Sequence, residues 1–109
     1  MPLVALSKLL KDAEAGGYAV GYFESWDTYS FEAVLEAAEE KKSPVVLGFG
    51  GTMMNQEWLE RFGIKALGAY GRAIAEQAKV PAAFILNEVK KPEHIREGVL
   101  SGYNSVMLD

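Results

Sequence analysis

Hydrophobic side chains recur with helical spacing in four segments of the chain, and each of these segments ends at a glycine, a proline or a charged cluster. In the first segment, Leu6, Leu9 and Ala13 lie three or four residues apart, and Gly16-Gly17 stops the pattern. This spacing places the apolar side chains on one face of a helix. The predicted helices run from Leu6 to Gly16, from Asp27 or Ser30 to Lys41, from Gln56 to Lys79 with an interruption near Phe62-Gly63, and from Pro92 to Leu100.

Short apolar runs follow these helical segments. Residues 45–49, VVLGF, form a continuous apolar run that is typical of a strand buried on both faces. Residues 80–86 form a second such run, with Pro81 tolerated at its start. The predicted strands are residues 18–23, 45–49, 80–86 and 103–108.

The order of the elements predicts the architecture. A leading helix is followed by strands that alternate with helices, which is typical of parallel strands joined by right-handed helical crossovers. Four such strands fit either a small open α/β sheet or one half of a (β/α)8 barrel. The chain has 109 residues, whereas a complete barrel needs roughly 250. We expect residues 1–109 to form a single unit, because the composition shows no linker or low-complexity tract.

Composition excludes several kinds of site. The chain has no cysteine and one histidine, so it has neither a disulfide framework nor a metal site built on thiolates or several histidines. A metal would therefore need carboxylate ligands. The net charge of -4 and the lack of a basic patch argue against nucleic acid as a partner. No apolar run is long enough for a membrane span, and we expect a cytoplasmic protein.

Three segments carry a resemblance to a known family. They are residues 16–23 (GGYAVGYF), residues 35–45 (LEAAEEKKSPV) and residues 102–109 (GYNSVMLD). With them, the whole chain resembles the N-terminal half of the class II fructose-bisphosphate and tagatose-bisphosphate aldolases. The resemblance implies half of a (β/α)8 TIM barrel, zinc-dependent reversible aldol cleavage of a phosphorylated ketose in glycolysis or related carbohydrate metabolism, and assembly into homodimers or larger oligomers.

The sequence departs from the family at the positions that carry its chemistry. At the end of the third strand the family has Leu-Asp-His, in which the Asp transfers a proton and the His binds zinc, whereas this chain has Leu86-Asn87-Glu88. Asn87 has nearly the shape of Asp but no titrating proton, so it can hold a substrate hydroxyl and cannot act as an acid or base. A carboxylate at Glu88 shifts the preferred metal from zinc toward harder cations. Glu24 stands where the family has Asn. The remaining zinc ligands and main phosphate loops of the family lie on later strands.

The loops that follow the strands form the face on which such barrels place their active sites. We predict Asn87 as the catalytic position, and the resemblance implies Glu88 and Asp109 as metal ligands. Successive amides of a glycine turn can bind a phosphate, so Gly50, Gly51 and Thr52 are predicted to bind substrate with Glu24. The remaining candidates have structural interpretations: His94 is expected at the surface, and Trp26 and Trp58 are expected to pack.

Two functions follow from this pattern. The first is a divergent class II aldolase-type lyase acting on a phosphorylated ketose, in which this chain alone does not turn over substrate. The second is a non-catalytic, aldolase-like protein that binds a sugar phosphate or a partner protein. Half of a barrel leaves two strand edges unpaired, so we also expect the chain not to be a stable monomer.

Overall fold

The computed structural model describes residues 3–109, which form four parallel strands and the helices that connect them. The strands are β1 (Tyr22–Ser25), β2 (Val45–Gly50), β3 (Ala82–Val89) and β4 (Ser105–Leu108), and they lie in the order β1-β2-β3-β4. The helices are α1 (Leu6–Gly16), α2 (Thr28–Glu40), α3 (Gln56–Trp58), α4 (Ile64–Ala75) and α5 (Pro92–Leu100). A 3-10 turn, Gly51–Met53, follows β2, and a π-helical turn, Leu59–Gly63, joins α3 to α4.

The two faces of the sheet are covered differently. On one face α2 and α4 pack against the sheet, and Phe31, Phe49 and Phe84 meet there with ring centroids 4.9 to 6.1 Å apart. On the opposite face, which we call the inner face, Leu9 of α1 packs against Val46 and Ile85. Residues along a strand alternate between the two faces, so Glu24 and Asn87 lie on the same inner face as Tyr22 and Ile85.

The parallel α/β architecture is confirmed, but several element boundaries differ from the sequence prediction. β1 continues through Glu24 to Ser25 instead of ending at residue 23. β1 begins at Tyr22 instead of residue 18, because its pairing with β2 starts with Tyr22 opposite Val46. The amide of Tyr18 still belongs to the end of α1, where it donates to the carbonyl of Ala13. β4 begins at Ser105, because the buried Tyr103 side chain reaches α4 and donates to the carbonyl of Ile64.

The third strand and the long helix also differ from the sequence prediction. β3 starts two residues later than predicted and continues through Asn87 and Glu88 to Val89, so the polar residues that suggested a loop belong to the strand. The interruption predicted near Phe62-Gly63 is a π-helical turn through which the helix continues. The helix ends at Ala75, where 3-10 type hydrogen bonds replace helical ones. Within residues 3–109, no helix is long and apolar enough to cross a membrane.

Candidate active site

Three polar side chains meet on the inner face, at the edge of the sheet where the parallel strands end. The amide nitrogen Nδ2 of Asn87 donates to Oε1 of Glu24 over 3.1 Å and to Oε1 of Glu88 over 2.9 Å. Asn87 is 7% exposed and lies opposite Gly50 of β2. One buried amide therefore bridges two carboxylates, and we call these three residues the polar cluster.

Glycines on β2 make room for this cluster. A Cβ atom added to Gly50 would lie 2.3 to 2.5 Å from the carboxyl atoms of Glu24, which means that this carboxyl group rests on the bare backbone. A Cβ atom on Gly48 would lie 2.3 Å from the carbonyl oxygen of Ile85 and 3.0 Å from the Tyr22 ring. Any larger residue at Gly50 would displace the Glu24 carboxyl group.

Tyr22 supports the cluster from the preceding inward position on β1. Its hydroxyl donates to Oε1 of Glu24 over 3.1 Å. Burial raises the pKa of the Tyr22 hydroxyl, and the negative charge of Glu24, its hydrogen bond with Glu24 and the charge of Glu88 raise the pKa further. The hydroxyl therefore remains protonated at neutral pH and acts as a donor. Tyr22 is not among the site residues predicted from the sequence, where it belongs only to the aromatic and β-branched run of a strand.

Glu88 has an unusual backbone. Its φ angle is +54°, in the left-handed region that non-glycine residues rarely adopt, and it lies where the pairing between β3 and β4 shifts register. Without the shift, Glu88 would point away from Asn87, since neighbouring strand residues point to opposite faces. The local conformation is what allows two adjacent polar side chains to meet.

The predicted phosphate-binding residues lie beside the cluster. Gly50 is the last residue of β2, and Gly51 and Thr52 begin the 3-10 turn. The carbonyl of Gly51 accepts a hydrogen bond from Nε2 of Gln56 over 2.8 Å, and a Cβ atom on Gly51 would lie 2.6 Å from Val89. Close packing against Glu24 and Val89 therefore accounts for glycine at positions 50 and 51. Phosphate binding by this segment stays a prediction.

Asp109 lies at the same edge of the sheet but apart from the cluster. Its backbone amide donates to the carbonyl of Val89 over 2.8 Å, and its side chain is exposed. Within residues 3–109, no three His, Cys, Asp or Glu side chains come close enough together to hold a metal ion. The polar cluster supplies two carboxylates, and one oxygen of each is already bonded to Asn87. Two carboxylates by themselves do not complete a zinc site, and the metal roles of Glu88 and Asp109 stay predictions.

His94 was expected at the surface, and this prediction is wrong. The residue is 3% exposed, and its Nε2 lies 3.1 Å from Oε1 of Glu60 in the π-helical turn. Lys91 donates to the same oxygen over 2.5 Å. Hydrogen bonds from Lys91 and His94 lower the pKa of Glu60. The start of α5 packs against the π-helical turn, a contact that no local sequence pattern reveals, and the resulting ion pair joins the segments that follow β2 and β3.

The two tryptophans, both predicted to pack, differ from each other. Trp26 follows β1 and is 68% exposed, so the predicted packing role is wrong for this residue. Trp58 lies against Gly63, where a Cβ atom would come within 2.5 Å of its ring, although 42% of the residue remains exposed. Local sequence cannot distinguish a packed aromatic side chain from an exposed one that follows a strand.

Comparison with known proteins gives a consistent family match. The family model described as "Fructose-bisphosphate aldolase class-II" matches residues 4–109. The chain is 37% identical to a probable fructose-bisphosphate aldolase of Bacillus subtilis and 36% identical to the fructose-bisphosphate aldolase of Thermus caldophilus. These matches cover 100% and 98% of this chain, but 38% and 33% of those relatives. A 6-phospho-5-dehydro-2-deoxy-D-gluconate aldolase of Bacillus licheniformis is 32% identical over 100% of the chain and 37% of that relative.

A solved structure shows the same arrangement of elements. The chain is similar to the YdjI aldolase from Escherichia coli K12, with a TM-score of 0.81 and 27% sequence identity. The match covers 96% of this chain and 38% of that chain. The chain thus spans little more than a third of the relatives it matches, which supports the predicted N-terminal half of a TIM barrel.

Proposed function

The chain belongs to the class II fructose-bisphosphate aldolase family, and on this basis we propose that it forms one wall of the active site of a divergent aldolase-type lyase. The substrate is a phosphorylated ketose, and residues 1–109 by themselves do not turn it over. The observation that supports this proposal most directly is the polar cluster, which lies at the carboxyl ends of the strands, where barrel enzymes bind substrate.

Asn87 is proposed to position the substrate. Both hydrogens of its amide face carboxylates, which leaves the carbonyl oxygen Oδ1 to accept a hydrogen bond from a substrate hydroxyl. The adjacent Gly50-Gly51-Thr52 segment is proposed to contact the phosphorylated end. A divalent cation at this site is proposed to take carboxylate ligands from Glu88 and Asp109 and further ligands from the later strands of the barrel.

The alternative function is a non-catalytic protein that binds a sugar phosphate or a partner. One observation favours it: Asn87 has no titrating proton, and acid-base catalysis contributes about 10²- to 10⁴-fold to a rate. Restoring the aldolase residues distinguishes the two functions. If the site is a repurposed catalyst, the variant Asn87→Asp/Glu88→His loses activity. If the site has lost its chemistry, the same variant gains zinc-dependent cleavage.

The experiment measures triose phosphate release from fructose 1,6-bisphosphate and tagatose 1,6-bisphosphate. The chain is assayed alone and together with the part of the Bacillus subtilis relative that lies beyond the matched segment. We expect no turnover from the chain alone and measurable release from the two parts together. The control variant Asn55→Asp/Glu14→His makes the same chemical changes at exposed positions outside the cluster. Assembly of the two parts without release, in both the original chain and the restored variant, would contradict the lyase proposal.

A further inference from the structure

We infer that Glu24 is the residue that exchanges a proton with the substrate, a role that Asn87 does not have the chemistry to fill. This inference rests on the proposed lyase function and identifies the acid-base group within it. The carboxylate enters the cluster from β1, and the amide enters from β3. Within the polar cluster, the carboxylates that can accept a proton are therefore those of Glu24 and Glu88.

The hydrogen bonds of Glu24 hold its carboxyl group in one orientation. Its Oε1 accepts from the Tyr22 hydroxyl and from Nδ2 of Asn87, each over 3.1 Å. Both bonds reach Oε1. Within residues 3–109 the other carboxylate oxygen, Oε2, accepts no hydrogen bond and is available to a substrate proton. A catalytic group fixed by neighbouring side chains keeps its geometry through the reaction.

The position of Glu24 distinguishes it from Glu88. Glu24 extends from a regular strand, and its carboxyl group lies over the bare backbone of Gly50. Glu88 extends from the irregular part of β3 in a left-handed conformation, and its recorded partner is Asn87. The titratable groups near Glu24 are the Tyr22 hydroxyl on β1 and, across Asn87, the Glu88 carboxyl group on β3, while β2 presents glycines.

The proposed reaction is aldol cleavage, in which Glu24 takes up one proton and returns it, so no further reactant is needed. The Glu24 carboxylate removes the proton from the hydroxyl group of the carbon whose bond to the next carbon will break. That hydroxyl carbon becomes an aldehyde as the carbon-carbon bond breaks, and the bonding electron pair moves into the ketone fragment as an enolate. Glu24 then returns its proton to the enolate carbon, which regenerates the carboxylate and releases the second product.

A titration of the 109-residue chain tests the connection between Glu24 and Asn87 without requiring turnover. Nuclear magnetic resonance follows the side-chain amide signals of Asn87 as a function of pH in the original chain and in the isosteric variants Glu24→Gln and Glu88→Gln. We expect Glu24→Gln to remove a pH-dependent shift that persists in Glu88→Gln. If the Asn87 signals titrate unchanged in Glu24→Gln, the inference is overturned.

Kinetics of the two-part barrel test the catalytic role itself. We expect Glu24→Gln to lower kcat by about 10²-fold or more, with little change in KM, and to remove the acidic limb of the pH-rate profile. Glu24→Asp should restore part of the rate, and Glu14→Gln on the exposed face of α1 serves as the matched control. A full rate and an unchanged acidic limb in Glu24→Gln would overturn the inference. If no barrel turns over, the proposed function fails, and the titration alone decides whether Glu24 is the titrating group bonded to Asn87.

Discussion

Within residues 3–109, two residues that are not glycine, Lys42 and Glu88, have left-handed backbones. Their φ angles are +53° and +54°. Lys42 lies in the turn after α2, where its amide donates to the carbonyl of Glu39, and it makes no contribution to the polar cluster. Glu88 adopts the same strained conformation within the polar cluster. Strain of this kind persists where surrounding contacts stabilise it, and Asn87 provides such a contact for Glu88.

Replacing each of these two residues by glycine separates the cost of the left-handed backbone from the contribution of the Asn87 hydrogen bond. The variant Lys42→Gly is expected to raise the free energy of unfolding by about 1 kcal/mol, because glycine adopts the left-handed conformation without a steric cost. Glu88→Gly relieves the same strain but also loses the hydrogen bond to Asn87, which contributes about 0.5–1.5 kcal/mol, so its net effect is expected to be close to zero. Urea unfolding of the two variants measures the difference. Equal stabilisation by both would show that the bond between Glu88 and Asn87 contributes nothing.

The helices depend on local signals that the sequence contains, and α2 is the clearest example. Asp27 caps this helix: its Oδ1 accepts from the amide of Ser30 over 2.7 Å, and the Ser30 hydroxyl accepts from the amide of Asp27 over 3.2 Å. This reciprocal pair satisfies backbone groups that the first turn of a helix leaves free. The sequence allowed α2 to begin at Asp27 or at Ser30, and these two residues are the two partners of one capping box.

The cap predicts a pH dependence. The hydrogen bond from the backbone amide of Ser30, and then the bond with its hydroxyl, lower the pKa of Asp27 in the folded chain. A lowered folded pKa stabilises the fold above the unfolded value of about 3.9, and this stabilisation is lost as pH falls through the folded pKa. The variant Asp27→Asn keeps a capping side chain without a charge. We expect its Tm to be lower than that of the original chain at pH 7 and equal to it at the acidic end of a titration.

Thermal unfolding followed by circular dichroism between pH 2 and pH 7 measures this difference. Glu14→Gln at an exposed position of α1 corrects for the general effect of removing one negative charge. If the Tm difference between the original chain and Asp27→Asn stayed the same down to pH 2, the ionised Asp27 carboxylate would not be its cause.

At the scale of the whole molecule, the sheet presents two outer strands. β1 and β4 each pair with one neighbour within residues 3–109. Large apolar side chains lie exposed on these strands: Phe23 is 58% exposed, and Met107 and Leu108 are 42% and 51% exposed. A groove beside Phe23 runs between β1 and α2, and its lining includes Ala33, Val34 and Ala37. Unpaired strand edges with exposed apolar groups favour association.

We therefore expect the 109-residue chain to form dimers or larger oligomers at micromolar concentration. Sedimentation velocity measures the distribution, and Phe23→Lys should weaken association about tenfold or more, because burial of a Phe side chain contributes about 1.5–3 kcal/mol. Leu10→Lys, at an exposed position of α1, is the matched control. A monomer with a cooperative thermal transition would show that the open edges do not drive association.

The sequence by itself determined the order of the elements, the parallel sheet and the family, because apolar periodicity, glycines and helix caps are local signals. It also placed Glu24, Asn87 and Glu88 near the ends of strands, where parallel strands bring their carboxyl ends together. Tertiary structure decided what these residues do to one another. The bridge between two carboxylates depends on the register of three strands and on the bare backbone at Gly50. The burial of His94 depends on a helix packing against a distant π-helical turn, so contacts between residues far apart in sequence set the chemistry of the site.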